Sequence, residues 1–132
     1  MKVLGLDYGS ARTGVAVSDA TGTLARPLEV IRRAATPVGL ARVAELVAEH
    51  DVERIVVGLP LTLRGERGAQ VRETERFVAS LAGVVSVPVE TYDERFTTAL
   101  AAGQDGSSSA PEDARAAAFL LASYLERAGA SG

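Results

Sequence analysis

Val3-Leu4-Gly5-Leu6-Asp7-Tyr8 leads through Gly9-Ser10-Ala11-Arg12-Thr13 into Gly14-Val15-Ala16-Val17-Ser18. Two short apolar runs (Val3 to Tyr8 and Gly14 to Ser18) joined by a glycine-containing turn predict a β-hairpin. A third run, Leu28 to Arg32, follows another turn, so the first 32 residues read as an antiparallel three-stranded meander. One residue breaks this pattern. Asp7 puts a charge into an apolar strand, which is costly unless a partner or a cation compensates it. By itself it reads equally well as an Asp that closes the strand and bonds the Gly9-Ser10 turn.

Beyond the meander the period changes. Thr36-Pro37 is a helix N-cap followed by proline at the first helical position, and Leu40, Val43, Ala44 and Val47 recur at helical spacing. Ile55-Val56-Val57, ending at Gly58 and Pro60, reads as a strand covered on both faces in a parallel arrangement. A loop with Arg64, Arg67, Gly65 and Gly68 leads to a second helix whose inner stripe is Val71, Thr74, Val78 and Leu81. Val85, Val87 and Val89 alternate with Ser86, Pro88 and Glu90, which predicts a half-exposed strand that Pro88 confines to a sheet edge. A short helix is expected over Phe96 to Ala102, then a mobile loop over Gly103 to Ala110. A last helix starts at Pro111 with Ala117, Leu120, Leu121 and Tyr124 on one face. The order βββ-α-β-α-β-α specifies an α/β fold with a mixed five-stranded sheet, helices on both faces and right-handed crossovers. Residues 1–132 are expected to form a single domain.

Composition narrows the chemistry. The chain has 132 residues, no cysteine and one histidine, His50. Thiolate and zinc–thiolate sites are excluded, and His50 falls near a helix C-terminus, where the dipole favours a cation. No signal peptide is read at the N-terminus, and the longest apolar stretch, Ala116 to Leu125, is well short of the ~20 residues of a membrane span. A cytoplasmic protein without membrane contact is expected. Thirteen of the 14 basic residues are Arg, and the formal net charge of −3 argues against gripping nucleic acid through bulk charge alone.

The remaining acids offer a different chemistry. Metal-dependent phosphodiester cleavage needs carboxylates that converge, because two cations ~4 Å apart bind the scissile phosphate and activate water. Asp93 and Glu94 end the last strand, where ligands bind in open α/β sheets. Neighbouring strand residues point to opposite faces, so one of the two should face Asp7. Asp113 lies in the first turn of the last helix, in line with Ala117 and Leu120 rather than with the solvated face. Each acid also has a capping role available to it.

Four segments in order carry a resemblance: Gly5 to Ala16, Ile55 to Pro60, Asp93-Glu94-Arg95-Phe96-Thr97-Thr98, and Asp113-Ala114-Arg115-Ala116-Ala117. Together they are similar to the YqgF/RuvX family. Its members have an RNase H-like fold and are regarded as Holliday junction resolvases or as nucleases maturing pre-16S ribosomal RNA. The resemblance implies a nuclease using Mg²⁺ or Mn²⁺, with Asp7 as the first-strand ligand, Glu94 preferred over Asp93 as the second, and Asp113 as the last. Gly58 and Pro60 would shape the site floor, and Arg12, Arg95, Thr97 and Thr98 would contact phosphate oxygens. Two divalent cations would move the formal charge from −3 to +1. In one place the chain departs from the family: Gly106-Ser107-Ser108-Ser109-Ala110 stands where members often carry a basic run before the last Asp.

The implied reaction is 5′-end maturation of pre-16S ribosomal RNA, with structured RNA and ribosomal precursor particles as partners. Cleavage of branched DNA is the alternative, and a non-catalytic nucleic-acid-binding module is a second one. A resolvase making two symmetric cuts requires a homodimer, whereas an RNA-trimming enzyme can act as a monomer. The Asp-x-Gly hairpin of sugar kinases and actin-like ATPases is a further reading, but that architecture needs two lobes around a nucleotide.

Overall fold

The computed structural model describes residues 1–62, 64–65, 67–97 and 110–131. Its elements are β1 (Val3–Asp7), β2 (Arg12–Ser18), β3 (Ala25–Arg32), α1 (Pro37–Glu49), β4 (Arg54–Leu59), α2 (Ala69–Ala82), β5 (Val89–Asp93) and α3 (Glu112–Ser131). They build one mixed sheet in the order β3-β2-β1-β4-β5. β1, β2 and β3 pair antiparallel, while β4 lies parallel to both β1 and β5. No helix among the described residues is long and apolar enough to cross a membrane.

Strand alternation divides the chain between two cores. Leu4, Leu6, Val15, Val17, Ile55 and Val57 point to one face and pack with Leu40, Val43 and Leu46 of α1 and Phe77 and Leu81 of α2. Val3, Ala16 and Val56 point to the other face, beneath Ala117, Ala118, Leu121 and Leu125 of α3. The first face holds large aliphatic side chains and the second mostly small ones, so α3 lies close upon the sheet. Gly14 marks the closest approach. A Cβ there would stand 1.8 Å from the carbonyl oxygen of Asp113, so only glycine lets the start of α3 rest on β2.

Three expectations shift. β3 begins at Ala25 rather than Leu28, because Arg26 and Pro27 continue the pairing with β2 around an irregularity at Val15/Ala16. Pro27 is tolerated because β3 is an edge strand. The last strand is an edge, as Pro88 predicts, but it runs over Val89–Asp93, held by pairing from Ile55↔Val89 to Leu59↔Asp93. Val85 and Val87 instead pack against the α1/α2 core as part of the connection. Of the helix expected over Phe96 to Ala102, only Phe96, which ends a 3₁₀ turn over Glu94–Phe96, and Thr97 after it are described. Residues 98–109, including Thr98 and the expected Gly-Ser loop, lie outside the described residues.

The helices begin and end as their caps require. The Thr36 side chain accepts a hydrogen bond from the Gly39 amide, Pro37 occupies the first turn, and His50 is the C-cap residue of α1. The inner stripes also take in Leu46 and Phe77, while Val47 and Val78 are only half-buried.

Candidate active site

Asp7 is the last residue of β1 and pairs with Gly14. It shares its face with Val3 and Gly5, and that face is covered by α3. Its neighbour Tyr8 points the opposite way, stacks on Phe77 with ring centroids 4.5 Å apart, and donates a 2.8 Å hydrogen bond to Glu73. Burial and the Glu73 carboxylate push the Tyr8 phenol up to about 12, so it stays a donor. The end of β1 is thus clamped from the α2 side, which fixes where Asp7 is presented.

The same alternation decides between the two acids after β5. Tyr92 packs under α3, so Asp93 turns away and Glu94, one residue further, returns to the face of Asp7. Asp7 and Glu94 lie close enough for each side chain to shift the carboxyl of the other. Gly58 of β4 provides the space between them, since a Cβ there would lie 2.7 Å from Glu94 Oε1. Burial raises both carboxyls, and the Asp7 charge raises Glu94 further, to about 7, while Asp113 adds to the rise of Asp7. Near neutral pH the pair therefore holds a proton, as two desolvated like charges must when no cation separates them.

Asp113 arrives from α3. With its backbone against Gly14, and Gly14 opposite Asp7, it stands near enough for its charge to act on Asp7. Its carboxylate pairs with Arg12 at 3.3 Å, both side chains being substantially exposed. Among the described residues no group of three or more His, Asp or Glu side chains is already drawn together closely enough to hold a metal ion. The donor set nevertheless fits a hard divalent cation: two desolvated carboxylates share one space, and a third is held beside them by an exposed arginine.

Asp93 is not part of the cluster. Its carboxylate caps the 3₁₀ turn and clamps Arg95, with Nη2–Oδ2 at 2.6 Å, which holds the Asp93 carboxyl below its ordinary range. Arg95 is thereby positioned against Gly65 of the β4–α2 loop, with Nη1 3.2 Å from where a Cβ of Gly65 would be. The Thr97 hydroxyl is buried and has no hydrogen-bond partner among the described residues. Gly14 is the site residue that sequence reasoning missed. The available signal was a glycine in β2 placed to oppose Asp7 across the hairpin.

Comparison with known proteins bears on the fold and the family. A family model described as RuvX, Holliday junction resolvase, matches residues 1–127. A protein of Rubrobacter xylanophilus is 46% identical over 134 residues, covering 97% of this chain and 94% of that one. One from Moorella thermoacetica is 39% identical and covers 100% and 99%. Both carry the provisional name pre-16S rRNA nuclease. Among solved structures, Thermus thermophilus RuvC in complex with a Holliday junction substrate matches with a TM-score of 0.69 at 20% identity, over 98% of this chain and 96% of that one. The fowlpox virus Holliday junction resolvase matches with a TM-score of 0.53 at 14% identity, over 96% and 99%. At these identities the structural likeness shows a shared RNase H-like fold. Ordered sequence matches over nearly the whole chain go further, and the chain belongs to the RuvX (YqgF) family of nucleases.

Proposed function

We propose that this chain is a metal-dependent nuclease that hydrolyses phosphodiester bonds in structured RNA, in the 5′-end maturation of pre-16S ribosomal RNA. Residues 1–132 act as one domain, in the cytoplasm and on ribosomal precursor particles. Asp7, Glu94 and Asp113 hold Mg²⁺ or Mn²⁺. The observation that carries this reading is the half-buried Asp7–Glu94 pair at the carboxyl end of the sheet, two acids on one face with Gly58 leaving the space for Glu94. When bound there, a divalent cation supplies the Lewis acidity that lowers the pKa of an attacking water and stabilises the departing oxygen.

The chain's own groups do the rest. Asp7 and Glu94 would hold the cation as carboxylates, with the proton that their proximity retains released to solvent. Arg12, exposed and 3.3 Å from Asp113, supplies a forked guanidinium suited to a non-bridging phosphate oxygen. Arg95, held by Asp93, presents a fixed positive edge on the other side of the cleft. Branched DNA offers the same phosphates, and the likeness to a RuvC–junction complex over 98% of the chain keeps junction cleavage as the second reading.

Incubating the full chain with labelled precursor RNA and with a four-way DNA junction, with and without Mn²⁺, tests both. RNA cleavage that EDTA abolishes, and that Asp7→Asn lowers by more than about 100-fold, is expected, a loss larger than outer-shell partners cause. Cutting that persists in EDTA would remove the reading, and preferential cutting of the junction would replace RNA by DNA.

A further inference from the structure

A cationic groove leads away from the carboxylates. Arg32 ends β3 directly across from Arg12 in the strand register, and Arg33 follows it. Two clefts of about 300 and 420 Å³ adjoin here. Ala11, Arg12, Arg32 and Arg33 line the first, and Ser10, Ala11, Arg33, Ala35 and Thr36 line the second, so the two share Ala11 and Arg33.

Arg32 and Arg33 differ from the arginines that are tied up in ion pairs. Arg42, Arg54, Arg67 and Arg95 each pair with a carboxylate. Among the described residues, no hydrogen bond or ion pair reaches the Arg32 or Arg33 guanidinium, and both residues are exposed. Isolated exposed arginines are common and mean little; these two are held in place. Arg33 has φ 48°, a conformation that non-glycine residues rarely adopt. It persists because the Arg33 amide donates to the Ala11 carbonyl at 3.0 Å, while the Arg33 carbonyl accepts from the Thr36 amide at 3.0 Å and from the Thr36 hydroxyl at 2.8 Å. The corner between β3 and α1 is thereby pinned to the β1–β2 turn, beside the positive N-terminal end of α1. With strands ~4.8 Å apart and ~3.3 Å of rise per residue, the Arg32 backbone lies roughly 12 Å from that of Asp7, within reach of neighbouring phosphates of one bound strand.

We propose that Arg32 and Arg33, with the β1–β2 turn, form a second phosphate-binding subsite that grips the nucleic-acid backbone beside the scissile phosphate. This rests on the nuclease reading of the carboxylate cluster. It also offers an acidic chain a local cationic hold on a polyanion: Arg12, Arg32 and Arg33 line one cleft.

The test is fluorescence anisotropy with a labelled stem-loop RNA across a salt series, using the full chain carrying Asp7→Asn so that the probe stays whole. A labelled four-way DNA junction forms a second arm. Adding Arg32→Gln and Arg33→Gln should weaken binding about tenfold or more and reduce the slope of log affinity against log salt by roughly 1.8, about 0.9 for each duplex phosphate that is no longer neutralised. Lys2→Gln with Arg26→Gln removes the same charge at the opposite end of the strands and should leave the slope unchanged. If Arg33→Gln disturbs the fold in a thermal melt, Arg32→Gln alone should still remove about half of the effect. An unchanged slope in the groove variants, or an equal fall in both pairs, overturns the subsite. If the chain without groove substitutions binds neither probe, the nuclease reading itself fails.

Discussion

Asp7 and Glu94 are held in a state that folding alone disfavours, and this has measurable consequences for single side chains. A carboxyl raised from its ordinary 4.5 to about 7 keeps its proton in the native state where the unfolded chain has released it. Its contribution to stability is therefore complete below pH 4.5 and is lost as pH rises toward 7. With solvent screening allowed for, that loss is about 1–2 kcal/mol in the cation-free protein. Glu94→Gln should flatten this dependence and raise the melting temperature at pH 8 in EDTA, while abolishing cleavage. A variant less stable than wild type at pH 8 would show that Glu94 is structural rather than strained. The same proton competes with the cation, so Mn²⁺ affinity measured by calorimetry should weaken by about tenfold per pH unit below pH 7. Affinity independent of pH would mean that the pair is not the ligand.

At the level of elements, the site is where α3 meets the sheet, and two glycines control that meeting in different ways. The obstacle to a Cβ at Gly14 is backbone, the Asp113 carbonyl and the start of Ala114, which cannot move without lifting α3. Gly14→Ala should cost about 3 kcal/mol or more, read as a shifted urea midpoint. At Gly58 the obstacles are the ends of the Glu94 and Leu120 side chains, which can swing aside. Gly58→Ala should therefore cost only about 1 kcal/mol of stability yet reduce cleavage about 100-fold, because Glu94 is displaced from Asp7. Equal losses of stability in the two variants would contradict this division. Element boundaries show where periodicity alone misleads. Val85, Val87 and Val89 alternate as a strand does, but the partner that could extend them is β4, and its pairing carries β5 on to Asp93. Alternation states that one side is buried; it does not say which backbone lies alongside.

For the whole molecule, cation binding and folding are linked. A ligand that binds only the native state stabilises it by about 2.7 kcal/mol at a hundredfold excess over its dissociation constant. Mn²⁺ should raise the melting temperature of the wild-type chain, and Asp7→Asn should erase that rise. A Mn²⁺-induced rise that survives Asp7→Asn would place the cation elsewhere. The overall order of elements was legible in the residues because periodicity and capping are local properties. Thr36-Pro37 starts α1, Pro88 marks an edge, and the switch from period two to period 3.6 separates strands from helices. The strand ends carrying Asp7 and Glu94 were legible for the same reason, and so was the family, through four ordered segments that span the chain.

Asp7 and Asp113 lie 106 residues apart, and no local rule brings them together. Their approach depends on α3 crossing the sheet at Gly14, a contact between surfaces that spacing along the chain does not encode. Asp93, Arg95 and Thr97 show the other side of this. As residue types Asp93 suits a cation and Arg95 and Thr97 suit a phosphate, yet the turn after β5 commits Asp93 to Arg95 and buries the Thr97 hydroxyl. The sequence by itself determined the fold class, the strand carrying Asp7, and the alternation that lets one of Asp93 and Glu94 face it. Only tertiary structure decided which carboxylates share a desolvated space, and which arginines line the groove without a carboxylate beside them, because burial and charge pairing arise when separate elements pack.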